Sequence, residues 1–179
     1  GDVYKRQISN GGLVSFPTET VYGLGASIYN KEAIQKIFDY KERPKSNPLI
    51  VHIYEFNQIY KLVNLPEEKI NIIKQITDQL WPGPLTLVLP KSKMVDSIVT
   101  SGSEYIGIRL PDNDIAINFL KKCNVPIAAP SANKYCHVSP THHDHVMNDF
   151  KNLPIKIIKN NKDTLNIGIE SSIIKIDFE

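Results

Sequence analysis

Seven short runs rich in β-branched and aliphatic residues punctuate the chain: LVSF at 13–16, PLIVHI at 48–53, LTLVL at 85–89, YIGIRL at 105–110, VPIAA at 125–129, IKIIK at 155–159 and SSIIKI at 171–176. Most read as buried strands. Between several of them the apolar period lengthens to that of a helix. After Asn30, a predicted N-cap, Ala33, Ile34, Ile37 and Phe38 share one face, and Pro44 closes the segment. From Pro66 to Leu80, Ile70, Ile73 and Ile76 stand at helical spacing behind an acidic first turn of Glu67 and Glu68. A third helix is predicted from Asp114 to Lys122. Such alternation specifies an α/β fold, and the direct succession of LTLVL and YIGIRL makes the sheet mixed. The expectation is one domain over residues 1–179, a twisted mixed sheet with flanking helices, because 179 residues suffice for one core and no composition break marks a second.

The formal net charge of +2 is too small to argue nucleic-acid binding by itself, although a local basic surface would still attract anions. Two cysteines, Cys123 and Cys136, make a poor disulfide framework, and no long apolar run marks a signal peptide or membrane span. A reduced, cytoplasmic protein is expected. The start at Gly1 instead of Met and the end after IIKIDFE are read as boundaries that a fragment would have.

Four loops carry small and polar residues where strands end or helices begin: FPTETVYGLG (16–25), KERPKSNPLIVH (41–52), GIRLPDN (107–113) and APSANKYCHVSPT (129–141). Ligands of α/β sheets gather at such ends, where N–H groups and hydroxyls converge. Lys41 and Arg43 sit at a helix exit, where cations ordinarily serve the helix dipole; the stop at Pro44 before an apolar strand instead directs them toward the sheet edge. A guanidinium fork beside a compact ammonium suits a polyphosphate. Ser131 and Asn133 present a hydroxyl and an amide just beyond VPIAA, or form an ordinary turn. Ser139 and Pro140 read as the N-cap and first residue of a further helix. Neither G-x-x-x-x-G-K-[ST] nor a complete G-x-G-x-x-G occurs. Cys136, His137, His142, His143 and His145 match no usual zinc spacing, so no metal site is expected, and Cys123 and Trp81 read as packing residues.

Taken in order, FPTETVYGLG, KERPKSNPLIVH, WPGPLTLVLP, GIRLPDN, PIAAPSAN and GIESSII resemble the YrdC-like family of threonylcarbamoyl-AMP synthases, over about Gly11 to Asp177. The resemblance implies a sheet with a concave basic face and a reaction: L-threonine, bicarbonate and ATP, with Mg²⁺, give L-threonylcarbamoyladenylate and pyrophosphate. That is the first step of N6-threonylcarbamoyladenosine formation at tRNA position 37, and the resemblance implies tRNA and other threonylcarbamoylation proteins as partners, no tightly bound cofactor and no membrane. By the same resemblance Lys41, Arg43, Ser131 and Asn133 form the K-x-R and S-x-N signature around the ATP phosphates and carry catalysis, with Asn47 and Ser139 as further nucleotide contacts. Thr20, His52, Arg109 and Ser171 match positions lining the threonine pocket, and Thr18, Tyr22 and Thr86 shape the same cleft with roles left open.

Ser172 stands where the family more often has Thr, and the chain ends before an I-L-R-P-G-like segment that in many members supplies another nucleotide-contacting arginine. The sequence carries nothing like the C-terminal domain of the longer branch, so the short single-domain form of the family is expected. Two other readings compete: a non-catalytic RNA-binding module on the same fold, and the related domain of hydrogenase-maturation proteins, normally embedded in a much longer chain. Retention of both the K-x-R and S-x-N pairs favours catalysis.

Overall fold

The computed structural model describes residues 2–134, 137, 139–160 and 171–178. Its strands are β1 (Leu13–Pro17), β2 (Tyr22–Ser27), β3 (Ile50–His52), β4 (Leu85–Pro90), β5 (Tyr105–Arg109), β6 (Ile127–Ala128), β7 (Ile155–Ile157) and β8 (Ser172–Lys175). Helices α1 (Asp2–Ser9), α2 (Lys31–Lys41), α3 (Glu67–Thr77), α4 (Asp114–Cys123) and α5 (His143–Asp149), with a 3₁₀ turn at Phe56–Lys61, complete the described elements. The sheet has eight strands in the order β7-β1-β2-β6-β3-β5-β4-β8. Three pairs are parallel (β1/β7, β3/β5, β4/β8) and the others antiparallel, so the sheet is mixed, as the succession of LTLVL and YIGIRL requires.

Alternation along the strands separates two apolar layers. Leu24, Val51, Leu87 and Ile108 join Ile34, Ile37 and Phe38 of α2 and Ile70 and Ile73 of α3 in the larger one. Val14, Phe16 and Ile127 face the other way, onto Ile8 of α1 and Ala116, Phe119 and Leu120 of α4. By register His52, Arg109 and Thr86 stand side by side on β3, β5 and β4, and the His52 ring meets Phe16 edge-on at 5.7 Å between centroids. The second face therefore changes from apolar to polar across the sheet, and the polar stretch carries the site.

All seven apolar runs contain strands, but β2 lies in a segment read as a loop. Its glycines hid it. A Cβ on Gly25 would fall 2.7 Å from Ile127 Cγ2 and 2.9 Å from Phe16 Cε1, so the strand crosses its neighbours only without a side chain there. Three other boundaries move. Helix α2 ends at Lys41, before Pro44, because Glu42 takes the left-handed conformation (φ 55°) and Arg43 N–H returns to Phe38 O at 3.0 Å. Helix α3 ends at Thr77, and its Ile76 is exposed. Helix α5 starts four residues after the predicted cap: Pro140 O accepts from Tyr22 N–H at 2.8 Å, which ties residue 140 to β2, and His142 Nδ1 caps Asp144 N–H at 3.1 Å. Ser139 is exposed and caps nothing. Among the described residues no helix is long and apolar enough to cross a membrane.

Candidate active site

Lys41 is the last residue of α2 and only 1% exposed. Its ammonium donates to the backbone oxygens of Ser131 and Asn133 and, at 3.3 Å, to Asn133 Oδ1, so three acceptors match its three donors. Ser131 Oγ donates to the same Oδ1 at 2.6 Å, and Asn133 Nδ2 donates to His137 O at 2.8 Å. Burial, reinforced by nearby Arg43 and opposed by Asp149, brings the Lys41 pKa down to about 7. Asp149 fixes the far side of the turn, accepting from Lys134 N–H at 2.9 Å and lying 3.3 Å from His137 Nδ1. Arg43 is half-buried and donates from Nη2 to Pro48 O at 3.1 Å, which draws it back over the turn containing Asn47. Tyr22 brings the remaining segment alongside: its N–H bonds Pro140 O and its carbonyl bonds Ala132 N–H at 2.7 Å, so Ser139 lies next to the serine–asparagine turn. Tyr22 itself is buried, and its hydroxyl accepts from Asn160 N–H at 3.1 Å; the side chain belongs to the core.

A second cluster forms where the β1–β2 turn meets the end of β5. Thr18 Oγ1 donates to Val21 O at 2.6 Å and accepts from Thr20 and Val21 N–H, which folds the turn. A hydroxyl has one proton, so in the 3.1 Å contact between the two threonines Thr20 is the donor. Thr20 Oγ1 accepts in turn from Arg109 Nη1 at 3.3 Å, giving a one-directional chain from arginine to turn. Arg109 also reaches Gly83 O from Nε at 3.4 Å and forms an ion pair from Nη2 with Glu19. The other Glu19 oxygen accepts from Asp112 N–H at 2.6 Å. Burial weakens the hold of Arg109 on its proton and Glu19 opposes the effect.

His52, the register partner of Arg109, is buried, and its Nδ1 lies 3.2 Å from Ile50 O. Burial first, and Arg109 second, push its pKa down to about 3, so the imidazole is neutral. Thr86, on the opposite side of Arg109, is buried, and its Oγ1 has no hydrogen-bond partner among the described residues. Ser171 is exposed, one residue ahead of β8, where Ser172 N–H bonds Pro84 O at 2.9 Å. Residues 168–170 of GIESSII lie outside the described residues.

Glu19 lies in the FPTETVYGLG loop, where nothing in the sequence alone gives it a role. A lone acid in a polar turn carries no periodic signal, and only tertiary contact reveals its partner. His142, His143 and Asp144 bring ligand-type atoms within 4.8 Å, but three consecutive residues have that proximity by position, and Nδ1 of His142 is spent on the cap. Cys136 lies outside the described residues. Cys123, half-buried against the smaller apolar layer, has its thiol pushed up to about 11 by burial and is no nucleophile at neutral pH.

The fold and its polar contacts define a mixed α/β protein that carries a lysine-braced serine–asparagine turn and a buried arginine–glutamate pair. The chain belongs to the Sua5_yciO_yrdC family, described as "Telomere recombination", whose pattern matches residues 6–179. It is 44% identical over 170 residues to the threonylcarbamoyl-AMP synthase of Pyrococcus abyssi, covering 94% of this chain and 48% of that protein. The Bacillus subtilis threonylcarbamoyl-AMP synthase is 42% identical over 163 residues, with 90% and 46% covered. The chain thus spans about half the length of these curated relatives. The crystal structure of P. abyssi Sua5 complexed with L-threonine superposes with a TM-score of 0.88 at 41% identity, over 97% of this chain and 50% of that one. Escherichia coli YciO, at 18% identity and a TM-score of 0.80 over 99% of this chain and 85% of its own, shares the fold.

Proposed function

We propose that this chain makes L-threonylcarbamoyladenylate and pyrophosphate from L-threonine, bicarbonate and ATP. The observation that carries the reading is the meeting of Lys41 with Ser131 and Asn133 across the fold, on a turn that bonds Tyr22, two residues after the threonine that Arg109 holds. Arg109, with Thr20 and neutral His52 beside it, receives the amino-acid carboxylate, and Ser171 completes that end of the site; Arg43, Asn47, Ser131, Asn133 and Ser139 receive the nucleotide, with Lys41, whose donors hold the serine–asparagine turn, adding its charge from behind. The threonine amine displaces water from bicarbonate, forming the C–N bond of a carbamate, whose oxygen attacks the α-phosphorus of ATP in line as the bond to pyrophosphate breaks. This step needs positioning and charge neutralisation more than a covalent nucleophile. Mg²⁺ enters with ATP, held by phosphate oxygens and water; the nearby carboxylate of Asp149 is engaged by Lys134 and His137. The product passes to tRNA in the cytoplasm through other proteins of the same modification.

Pyrophosphate release from ATP, measured with and without L-threonine and bicarbonate, tests the proposal. Release that requires both supports it. Release indifferent to threonine, or tight tRNA binding without turnover, would assign the surface to another task, RNA binding first among them.

A further inference from the structure

Arg109 and Glu19 are both almost closed off from water, with side chains 7% and 8% exposed. Each of the three guanidinium nitrogens of Arg109 is anchored: Nε by Gly83 O, Nη1 by Thr20 Oγ1 and Nη2 by Glu19. Only the last anchor is charged. Glu19 is itself held from a second side by Asp112 N–H, so the carboxylate stays in place when a ligand arrives. Among the described residues nothing takes the second N–H of either terminal nitrogen, and that pair suits a second carboxylate. A buried guanidinium without a counter-charge would be costly, and an unanchored one would be free to turn.

We infer that Glu19 is a positioning residue for the amino-acid substrate, acting through Arg109: it balances the buried cation and fixes the guanidinium so that its two remaining N–H groups meet the substrate carboxylate. The inference rests on the function proposed above and deepens it. A purely structural tie between the β1–β2 turn and the 109–112 segment would also place Glu19 here, and the two roles differ in what they move. A tie loosens the whole site; a positioning residue changes threonine binding alone.

The test is calorimetric titration of L-threonine into the full chain, paired with KM values for threonine and ATP from pyrophosphate release. Glu19→Gln is expected to weaken threonine binding and raise its KM about tenfold or more, because a charge-assisted hydrogen bond becomes a neutral one, while the KM for ATP stays within about twofold. In an Arg109→Ala background, titrated at millimolar threonine, Glu19→Gln should change threonine affinity no further. Unchanged threonine affinity in Glu19→Gln, parallel weakening of threonine and ATP, or an equal loss without Arg109 would each overturn the inference. Should Glu19→Gln not fold, Glu19→Asp keeps the charge with the carboxylate drawn back by one methylene, and the same criteria apply to it. Wild-type chain that binds threonine without releasing pyrophosphate would sink the proposed reaction yet leave Glu19 decided by calorimetry, whereas wild type that binds no threonine overturns both.

Discussion

Lys41 and Asn133, 92 positions apart, are joined twice: the lysine ammonium donates to both the backbone oxygen and the side-chain oxygen of the asparagine. The lysine thus braces the turn that carries Ser131. Lys41→Met should remove that brace, lower the melting temperature and reduce threonine-dependent pyrophosphate release by about 10²- to 10³-fold, the scale of a lost electrostatic donor. The melt should also lose a pH dependence. With a folded pKa of about 7 against 10.5 for the ordinary amine, the unfolded chain binds more protons in that window, so Lys41 makes wild-type stability climb from pH 7 toward 10.5. Melts of wild type and Lys41→Met across pH 7 to 10 check this, and equal slopes would contradict it.

Arg43 is half-buried and its backbone-directed bond to Pro48 O lies near the surface. Arg43→Ala is therefore expected to abolish turnover while shifting the melting temperature by only a few degrees, consistent with about 1 kcal/mol for one such hydrogen bond. A collapsed fold would show that its work is structural.

His52 is held neutral in the sheet. Because its folded pKa of about 3 lies below the ordinary 6.5, the unfolded chain takes up the proton first, and its stabilising contribution is lost as pH falls from 6.5 toward 3. The loss is at most about 5 kcal/mol, from a shift of this size. His52→Gln should flatten the acid limb of the melting curve, read by circular dichroism between pH 3.5 and 7.

Gly25 tests the crossing of β2. Gly25→Ala should destabilise the fold by about 1–3 kcal/mol, the usual penalty of overpacking, because its Cβ would meet Ile127 and Phe16 below 3 Å. Urea titration measures it, and unchanged stability would mean that the sheet yields there at little cost.

Much of the architecture was legible in one dimension. Asn30 caps its helix through its side-chain oxygen at 2.9 Å, as its place before the apolar period predicts, and all seven apolar runs contain strands, although at the sheet edges β7 is only partly covered and β8, expected with the others to be buried, is exposed along its length. Strand β2 was not legible, since glycines that exist for close packing look like those of a loop. The start of α5 was misplaced because a long-range bond from Tyr22 to Pro140 outweighed a local Ser-Pro signal.

The order and chemistry of the motifs reside in the chain itself, because side-chain identity and local backbone preference act over a few residues and survive without a fold. Tertiary structure alone decided that Lys41 spends its donors on the turn it faces, that Tyr22 belongs to the core, and that Arg109 already has Glu19 as counter-ion. Those outcomes depend on desolvation and on contacts between segments 90 to 138 positions apart, quantities that exist only once the sheet has closed around them.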